Sequence, residues 1–484
     1  MTDFSFYWHD YETFGRMPRR DRPAQFAGVR TDADLNEIGP PAMLYCQPAP
    51  DTLPDPESCL LTGIVPQTCL ERGLPEHAFA ARIEAELAAP GTVGVGYNTI
   101  RFDDEVTRHL FWRNLIDPYA REWQNECGRW DLLDTVRATW ALRPEGIEWP
   151  FHEDGRPSFK LEHLTRANGL AHEAAHDALS DVRATIALAR LVRSRQPRLW
   201  DFCLKLRRKE AVWAEIGAGR PFLHLSGMYG LEQGGMAVVF PLAPHPTNRN
   251  ELIVWDLTHD PEMLVDLDVD TLRLRLFTRA AELPEGVQRL PVKTIHVNKS
   301  PVVVGNLKTL TSAVLDRFAL DLGRAQRHAQ AAPAIAGRLQ QVWREVYARP
   351  AADAVPDVDE DLYGGFVGND DRRKLERLRR MSGEQLAGQR TAFEDGRLEE
   401  LLFRYRARNF PGTLSADEHA RWIDHCAGRL HEGAGGATTL AEFFDRIDQL
   451  NEQAEERGDE RAAEILGALY DYAEGIAPPP RSAS

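Results

Sequence analysis

Strand and helix signals alternate over roughly the first 195 residues of this chain, and this alternation is the strongest constraint on its fold. Residues 4–9 form an aromatic-rich, strand-like run, and residues 93–97 form an apolar run typical of a buried strand. Residues 25–31 and 38–46 predict a hairpin around the polar DADLNE turn. Helices are predicted over 76–88, 103–115, 129–142, 160–168 and 176–195, with an irregular Pro- and Gly-rich loop over 144–157. This order predicts an α/β or α+β domain.

The signals change twice further along the chain. Short strands dominate from about residue 217 to 305, which predicts a smaller β-containing domain. A polar, proline-bearing linker at 349–360 is followed by helical stretches to about residue 475. We therefore predict a multi-domain α/β protein with domains at 1–196, 197–350 and 351–478 and a disordered tail at 479–484.

Composition excludes several classes of protein. Hydrophobic residues make up 43% and charged residues 27% of the 484 residues, as in ordinary soluble globular proteins. No run of about 18 apolar residues predicts a membrane span, and the N-terminal residues lack the pattern of a secretory signal. The six cysteines form no C-x-x-C pair, which argues against a zinc ribbon or disulfide framework and predicts a reducing cytoplasm.

The charge balance is acidic, with 58 Lys and Arg against 74 Asp and Glu and a formal net charge of −16. Taken alone, this balance argues against a protein coated by nucleic acid, because the phosphate backbone attracts positive surfaces. A local basic groove remains compatible with it, since local fields depend on where charges lie.

Two carboxylates follow the first predicted strand. Asp10 and Glu12 are two residues apart and therefore point to the same side of a strand. Adjacent acids raise each other's pKa unless a cation lies between them, and hard divalent cations prefer oxygen ligands. The pair is a candidate metal site. The alternative is a solvated strand end that carries two unrelated acids.

Two later segments carry further candidate groups. Asp103 follows the apolar run 93–97 and opens a helix, where a simple N-terminal cap is the alternative interpretation. His176 and Asp181 lie near the start of a long helix and are offset around it, so both reach one site only if His176 precedes the first turn. Asp177 is equally explained by the positive helix N-terminus.

The order of these groups resembles the DEDD exonuclease superfamily in its histidine-containing branch, which has a ribonuclease H-like fold. Longer stretches resemble bacterial exonuclease I over nearly the whole chain. They include HDYETFG, GYNTIRFDDEVTR, PSFKLEHLTRANG and HDALSDVRATIALA in the first part, HLSGMYG and HVNKSPVV in the second, and LLFRYRARNFPGTL in the third. The resemblance implies a ribonuclease H-like exonuclease domain, an SH3-like domain and a helical C-terminal domain.

The same resemblance implies an activity and a catalytic centre. The family digests single-stranded DNA from its 3′ end to 5′-mononucleotides, with two Mg²⁺ ions per active site and Mn²⁺ as a substitute. Asp10, Glu12 and Asp181 would hold the tightly bound ion, and Asp10 would also contact a second ion held partly through Asp103. His176 would act as general base, since the ordinary imidazole pKa lies near the working pH. The implied cellular role is DNA repair and recombination.

Contacts with the DNA strand are also expected. Glu12, Thr13, Phe14 and Lys160 are candidates for binding the terminal nucleotide, and Lys160 stands where relatives carry Arg, so charge is kept and bidentate geometry lost. Single-strand binders combine basic grooves with aromatic platforms. The groove candidates are Arg108, Tyr119, Trp123, Arg137, His176, Lys209 and Lys299, each with an ordinary ion pair or core aromatic as its alternative.

Two basic helical segments are interpreted as solvated helix faces. These are 404–408, with arginines at alternate positions, and 372–380. The family role of 404–408 is not predicted. The family also implies a partner, the acidic and hydrophobic C-terminal tail of single-stranded-DNA-binding protein, without identifying the residues that dock it. We expect a monomer in the bacterial cytoplasm, associated with the nucleoid.

Three other functions are the alternatives to this interpretation. An oligoribonuclease or a proofreading exonuclease needs little beyond the first domain, so the long remainder of the chain disfavours it. A non-catalytic protein that binds DNA ends predicts loss of a metal ligand, whereas all four acids and the histidine are present. A metallophosphatase would usually show His-rich ligation, which is absent from the sequence.

Overall fold

The computed structural model describes residues 4–171, 177–348 and 356–480, and these form two compact units. The first unit comprises the described residues of Met1–Gly128, His172–Arg183 and Ala354–Ser484. The second comprises those of Arg129–Ala171 and Ala184–Asp353. The C-terminal helices thus belong to the same compact unit as the N-terminal strands.

The N-terminal part of the first unit alternates strands and helices as the sequence pattern predicts. Its elements are β1 Ser5–Thr13, β2 Pro23–Thr31, β3 Ala42–Tyr45, α1 Pro56–Thr62, α2 Pro66–Arg72, α3 Glu76–Leu87, β4 Thr92–Gly96 and α4 Asp103–Arg113. The short helices α1 and α2 were missed by the periodicity analysis. Each begins with a proline. Proline suits the first helical turn because an N–H group at that position has no hydrogen-bond partner within the helix.

Strand β1 is a central strand of the sheet in this unit. It pairs antiparallel with β2 on one side and parallel with β4 on the other, and β3 pairs antiparallel with β2. The β2–β3 pairing confirms the predicted hairpin. Aromatic and aliphatic side chains of β1, β2, α3 and α4 form a core, including Tyr11, Phe26, Phe79 and Leu110. The β4 pairing covers Ser5–Trp8 and the β2 pairing runs on to Thr13, so the end of β1 is positioned by β2.

The elements between the two parts of the first unit follow in chain order. They are β5 Gly128–Asp131, α5 Leu132–Leu142, α6 Leu161–Ala167, α7 Ala178–Arg195, α8 Pro197–Lys205, α9 Lys209–Ile216, β6 Phe222–Leu225, β7 Met236–Pro244, β8 Glu251–Asp256, α10 Val269–Phe277, β9 Val292–His296, β10 Val302–Val304, α11 Ser312–Arg317, α12 Leu322–Leu339 and α13 Val342–Val346. Strands β6 to β10 form an antiparallel sheet in the order β10-β6-β7-β8-β9. This sheet confirms the β-rich second region that the short apolar runs predict.

The C-terminal part of the first unit is helical, as predicted. Its helices are α14 Asn369–Leu378, α15 Gly383–Ala387, α16 Arg397–Asn409, α17 Ala416–Glu432, α18 Leu440–Arg457 and α19 Glu460–Ile476. Capping boxes at Ser382, Ser415 and Thr439 begin α15, α17 and α18. Among the described residues, no helix combines the length and apolar character needed to cross a membrane.

The C-terminal helices share cores with the N-terminal elements. Phe14, Cys59 and Cys69 pack with Leu430 of α17, Leu440 and Phe443 of α18, and Leu466 and Leu469 of α19. A second shared core joins Trp112 and Leu115 to Leu378, Leu398 and Leu401. The end of β1 is therefore supported by helices that lie more than 400 residues away in the sequence.

Candidate active site

Three carboxylates meet at the end of β1. One oxygen each from Asp10, Glu12 and Asp181 lies within 4.8 Å of the others, and all three side chains are partly exposed. Asp10 and Glu12 come from β1, and Asp181 comes from the first turn of α7. The structure thus brings together the three residues that were predicted to hold the tightly bound metal ion.

The alternation of β1 explains why Asp10 and Glu12 share a side. Tyr11, between them, points the other way and packs edge-to-face on Phe26, with 4.8 Å between ring centroids. The register with β2 shifts between Glu12 and Thr13, so regular pairing ends directly after the second carboxylate. The two acids therefore lie where the strand leaves the sheet, open to a ligand.

The start of α7 is held against the neighbouring strand. Gln25 of β2 is the register partner of Glu12, and its side-chain oxygen accepts a hydrogen bond from the Ala178 N–H at 3.4 Å. The Asp177 carboxylate caps the helix by accepting from the Ser180 N–H at 3.1 Å. This confirms a capping role for Asp177 and leaves Asp181 one turn further on, facing β1.

Asp103 is the first residue of α4 and is almost fully buried. Its Oδ1 accepts a hydrogen bond from the Tyr11 N–H at 3.1 Å, so it is tied to the residue between the two strand carboxylates. No side-chain cap hydrogen bond precedes α4 at Phe102, so Asp103 does not serve as the helix cap. It instead adds a fourth carboxylate beside the other three.

The crowding of acids changes their protonation. Burial, followed by the charges of Asp103 and Asp181, raises the pKa of Asp10 well above its ordinary value. Burial, followed by the charges of Asp10 and Asp181, raises the pKa of Glu12 to about 9. Such a cluster stays charged near neutral pH only with a cation among the acids, which is the electrostatic signature of a metal centre.

This crowding predicts an unusual pH dependence of stability in a chelator. Between the ordinary Glu12 pKa of 4.5 and the folded value of about 9, the folded protein holds a proton that the unfolded chain releases. We therefore expect the melting temperature in EDTA to fall as the pH rises from about 5 to about 9. Glu12→Gln should flatten this slope, and added Mg²⁺ should restore stability at the alkaline end. A slope that is unchanged in Glu12→Gln would contradict the assignment.

Two further predicted residues, Thr13 and Phe14, directly follow Glu12 in the sequence, and a third is His176. His176 lies outside the described residues, so its role stays a prediction. Thr13 is buried and its hydroxyl donates to the Gly15 carbonyl at 2.6 Å. Phe14 is buried in the core shared with α17, α18 and α19. The structure therefore gives Phe14 a packing role, and its predicted contact with the terminal nucleotide stays untested.

Four predicted DNA-binding residues lie in the second unit. Lys160 precedes α6 with its side chain 67% exposed, and its Nζ lies 3.8 Å from Glu162 Oε1. Arg137 pairs with Asp134 at 2.9 Å, and Lys209 Nζ donates to Asn250 Oδ1 at 3.0 Å. Lys299 is half-buried next to β9. All four keep at least partial access to solvent, and their DNA contacts stay predictions.

The groove candidates of the first unit behave differently from one another. Trp123 is 66% exposed, as expected for a stacking platform. Arg108 is buried and pairs with Glu122 and Glu105, with 2.7 Å separating its Nε from Glu122 Oε1. Its guanidinium also lies 5.3 Å from the Tyr119 ring centroid. In the described structure Arg108 therefore orients an aromatic side chain, and direct contact with a phosphate would require one of its ion pairs to open.

Sequence reasoning missed two aromatic residues beside Tyr119. Phe366 is 85% exposed and its ring centroid lies 6.4 Å from that of Tyr119. Tyr363 is also exposed and its hydroxyl donates to Glu105, while accepting from Arg108. The signal was present in the sequence as two aromatics in a glycine-rich DLYGGF segment directly after the predicted linker. The Tyr119 and Phe366 rings border an apolar cavity of about 350 Å³, lined also by Trp112, Leu115 and Leu375.

The interpretation of 404–408 as a solvated face is wrong. Arg404 and Arg406 are buried, the Arg408 side chain is 4% exposed, and all three are ion-paired within the first unit. Arg408 donates to Asp51 through Nε and Nη2, at 3.1 and 2.7 Å, and to Asp359 through Nη1 at 3.1 Å. The arginines of this helix are therefore paired with acidic side chains and are not simply hydrated. Residues 372–380, in contrast, present Arg372, Arg373, Arg377 and Arg380 to solvent, as predicted.

The sequence matches three family models along its length. Residues 7–189 match the model described as Exonuclease, residues 207–349 the Exonuclease I SH3-like domain, and residues 356–476 the Exonuclease I C-terminal domain. These matches confirm the predicted fold class, with an exonuclease domain, an SH3-like domain and a helical C-terminal domain.

Named proteins and solved structures are similar to this chain over nearly its full length. Exodeoxyribonuclease I of Escherichia coli (strain K12) is 45% identical over 479 residues, which is 98% of each chain. The structure of exonuclease I from Methylocaldum szegediense has a TM-score of 0.92 at 50% identity, covering 98% of this chain and 99% of that one. The zinc-ion-bound form of an E. coli exonuclease I–single-stranded DNA complex has a TM-score of 0.91 at 44% identity, covering 98% and 100%. The chain therefore belongs to the exonuclease I family of exodeoxyribonucleases.

Proposed function

We propose that this chain degrades single-stranded DNA from its 3′ end to 5′-mononucleotides by phosphodiester hydrolysis that depends on two Mg²⁺ ions. The observation that carries the proposal is the convergence of Asp10, Glu12 and Asp181 within 4.8 Å, with Asp103 beside them. The named relatives, one of them solved with single-stranded DNA, support the substrate class.

The donor set fits a hard divalent cation. All four side chains offer carboxylate oxygens, the ligands that Mg²⁺ and Mn²⁺ prefer. Asp10, Glu12 and Asp181 would hold one ion, and Asp10 with Asp103 a second. When bound, such ions lower the pKa of water and offset negative charge on the attacked phosphate. Neutralisation of the cluster by cations would also return the raised pKa values of Asp10 and Glu12 to the charged range.

The protein's own groups hold this arrangement in place. The Tyr11 N–H fixes one oxygen of Asp103, and the Asp177 cap with the Gln25 contact fixes the start of α7 that carries Asp181. His176 directly precedes that cap in the sequence, so we propose it as the general base that accepts the proton of the attacking water. Side chains held rigidly in this way orient the reacting groups, and such orientation is a major part of hydrolytic catalysis.

The decisive experiment compares substrates and ends. The purified chain is incubated with 5′-labelled single-stranded DNA, with the same strand blocked at its 3′ end, with duplex DNA and with RNA, in Mg²⁺ or in EDTA. We expect stepwise shortening only of the unblocked single-stranded DNA, and only in Mg²⁺, not in EDTA. Equal digestion of RNA would favour an oligoribonuclease instead, and digestion of the 3′-blocked strand would contradict the polarity.

We further propose that Trp123, Tyr119 and Phe366 stack on bases of the bound strand. Each base stacked on an exposed aromatic ring contributes about 1–3 kcal/mol to binding. Phe366→Ala should therefore raise the Kd for oligo(dT), measured in EDTA, by roughly 5- to 150-fold. Fluorescence anisotropy with a labelled oligonucleotide measures this change. Tyr470→Ala is the matched control, because Tyr470 is an exposed aromatic of the same unit on α19, which contacts α1, α2 and α18. Equal effects of the two substitutions would contradict the stacking role.

We also propose that the chain acts as a monomer and binds the acidic, hydrophobic C-terminal tail of single-stranded-DNA-binding protein. The support is family membership across the full length. A fluorescent peptide with that tail sequence should bind saturably, and reversal of its acidic residues to lysine should abolish binding. Light scattering should give the mass of one chain. Binding that is insensitive to peptide charge would contradict the partner.

The proposed cellular setting is DNA repair and recombination in the bacterial cytoplasm. The six cysteines are free thiols, which suits a reducing compartment. A strain that lacks this chain should show altered recombination between direct repeats, restored by the wild-type gene and not by Asp10→Asn. Full restoration by the Asp10→Asn gene would separate the cellular role from nuclease activity.

A further inference from the structure

A buried ion pair lies directly next to Asp103. Asp104 is the next residue of α4, and its Oδ1 accepts from Nη2 of Arg121 at 2.5 Å. Asp104 is 1% exposed and Arg121 is 2% exposed, so both charges are withdrawn from water. Neighbouring aspartates at the start of one helix therefore have different partners: the Tyr11 N–H for Asp103 and a guanidinium for Asp104.

Arg121 donates a side-chain hydrogen bond through Nη2 only, to Asp104, among the described residues. Its Nε and Nη1 have no hydrogen-bond partner among the described residues, although both are buried. Gly94 of β4 leaves room for the guanidinium, since a Cβ there would lie 3.2 Å from Nη1. An arginine that donates one hydrogen bond to Asp104 and leaves two nitrogens without a partner acts mainly through its charge, which neutralises Asp104 first and is also attracted to Glu122.

We propose that Arg121 is a positioning residue for the metal centre, because its pairing with Asp104 decides which of two adjacent aspartates faces the metal ligands. With Asp104 held on Arg121, the first turn of α4 presents Asp103 to Tyr11 and to Asp10. Without Arg121, the buried Asp104 carboxylate loses its guanidinium partner, and the first turn is expected to move so that this carboxylate gains water. That movement would displace Asp103, the proposed ligand of the second ion. The inference rests on the proposed function.

Arg121→Met tests this role, because Met keeps the length of the side chain and removes the charge. We expect kcat for single-stranded DNA to fall about 100-fold, the loss that a displacement of about 1 Å at a reacting centre can cause, with KM changed less than about threefold. In calorimetric titrations with MnCl₂ and no DNA, the weaker of two binding events should weaken by roughly tenfold or disappear. Arg121→Lys should restore most of kcat, since it restores a cation for Asp104.

Arg113→Met is the matched control. Arg113 lies at the other end of α4, is equally buried, pairs with Glu76 at 2.8 Å and also leaves Nη1 without a partner. Both Met variants should lose thermal stability, but Arg113→Met should keep wild-type kcat and wild-type Mn²⁺ binding. If Arg121→Met fails to fold, Arg121→Gln keeps a donor for Asp104 without the charge, and a kcat loss of about tenfold is expected.

The outcomes distinguish failure of the positioning role of Arg121 from failure of the proposed nuclease function. Wild-type kcat and Mn²⁺ binding in a folded Arg121→Met or Arg121→Gln variant would overturn the positioning role and leave a purely structural ion pair. Equal losses of kcat in the Arg121 and Arg113 variants would overturn it as well. If the wild-type chain itself does not hydrolyse single-stranded DNA, the proposed function fails, while the MnCl₂ titration still decides whether Arg121 controls the cation site.

Discussion

Asp10→Asn is expected to lower kcat on single-stranded DNA by roughly 10³- to 10⁵-fold, the largest effect of any substitution considered. Asp10 has an oxygen within 4.8 Å of oxygens of Glu12 and Asp181 and is also repelled by the charge of Asp103, so we propose it as the carboxylate that both ions share. Loss of metal-ion stabilisation of the transition state removes several kcal/mol, and each 1.36 kcal/mol is a factor of ten in rate. Initial rates on 5′-labelled DNA in saturating Mg²⁺ measure the change.

Asp177→Asn is the control for this substitution. It removes a carboxylate of the same sign from the start of α7, and Asn caps a helix as well as Asp does. Its rate should stay within a few-fold of wild type. A rate for Asp10→Asn above about one tenth of wild type, in a variant with a wild-type circular dichroism spectrum, would exclude the proposed metal centre.

Arg408→Met should cost about 3–5 kcal/mol in the free energy of unfolding, measured from the first transition in urea. Its guanidinium contacts Asp51, which is fully buried, and Asp359, which also accepts from Arg22 Nη2 at 3.1 Å. Removal of one member of a buried ion pair leaves an uncompensated charge, which is why the loss is large. Arg373→Met, on the solvated face of α14, should change the free energy by less than about 1 kcal/mol.

Arg408→Met should also weaken the loss of stability in acid. Burial would raise the pKa of Asp51, but the Arg408 guanidinium and the His425 ring hold it well below its ordinary value. The wild-type ion pair is therefore complete above the ordinary aspartate pKa and is lost as the pH falls through the folded value. In Arg408→Met, His425 at 3.4 Å and Arg429 at 3.8 Å still face Asp51, so its pKa is lowered less and acid should destabilise the variant less than wild type. A variant destabilised by acid as strongly as wild type would contradict this account.

The site was more predictable than the packing around it. Asp10 and Glu12 are two residues apart on a strand, and Asp181 stands at the start of a helix, so local periodicity already placed their side chains. Asp103 needed the resemblance as well, because a helix N-terminus by itself explains an aspartate. In the structure its partner is the Tyr11 N–H, 92 residues earlier, and no local pattern shows such a contact.

Phe14 and Arg408 show where local reasoning ends. Phe14 follows the carboxylates, and its predicted contact with the terminal nucleotide stays a prediction, but its place in a core with Leu440, Phe443 and Leu469 of the C-terminal helices was not predicted. Arg408 lies in an arginine-rich helix that a solvated face would explain, but its partner Asp51 comes from a loop 357 residues earlier. Both outcomes depend on contacts between distant segments, which neither helical periodicity nor charge spacing records.

That distance along the chain also sets an order of events during protein synthesis. The core around Phe14 gains its second half only when α17, α18 and α19 have left the ribosome. At roughly 5–20 residues per second, synthesis from the end of α4 to the end of α19 takes on the order of 20–70 seconds. Over that interval the segment next to Glu12 lacks the helices that hold it. A nascent chain therefore carries all four carboxylates well before it completes the core that supports the segment next to Glu12.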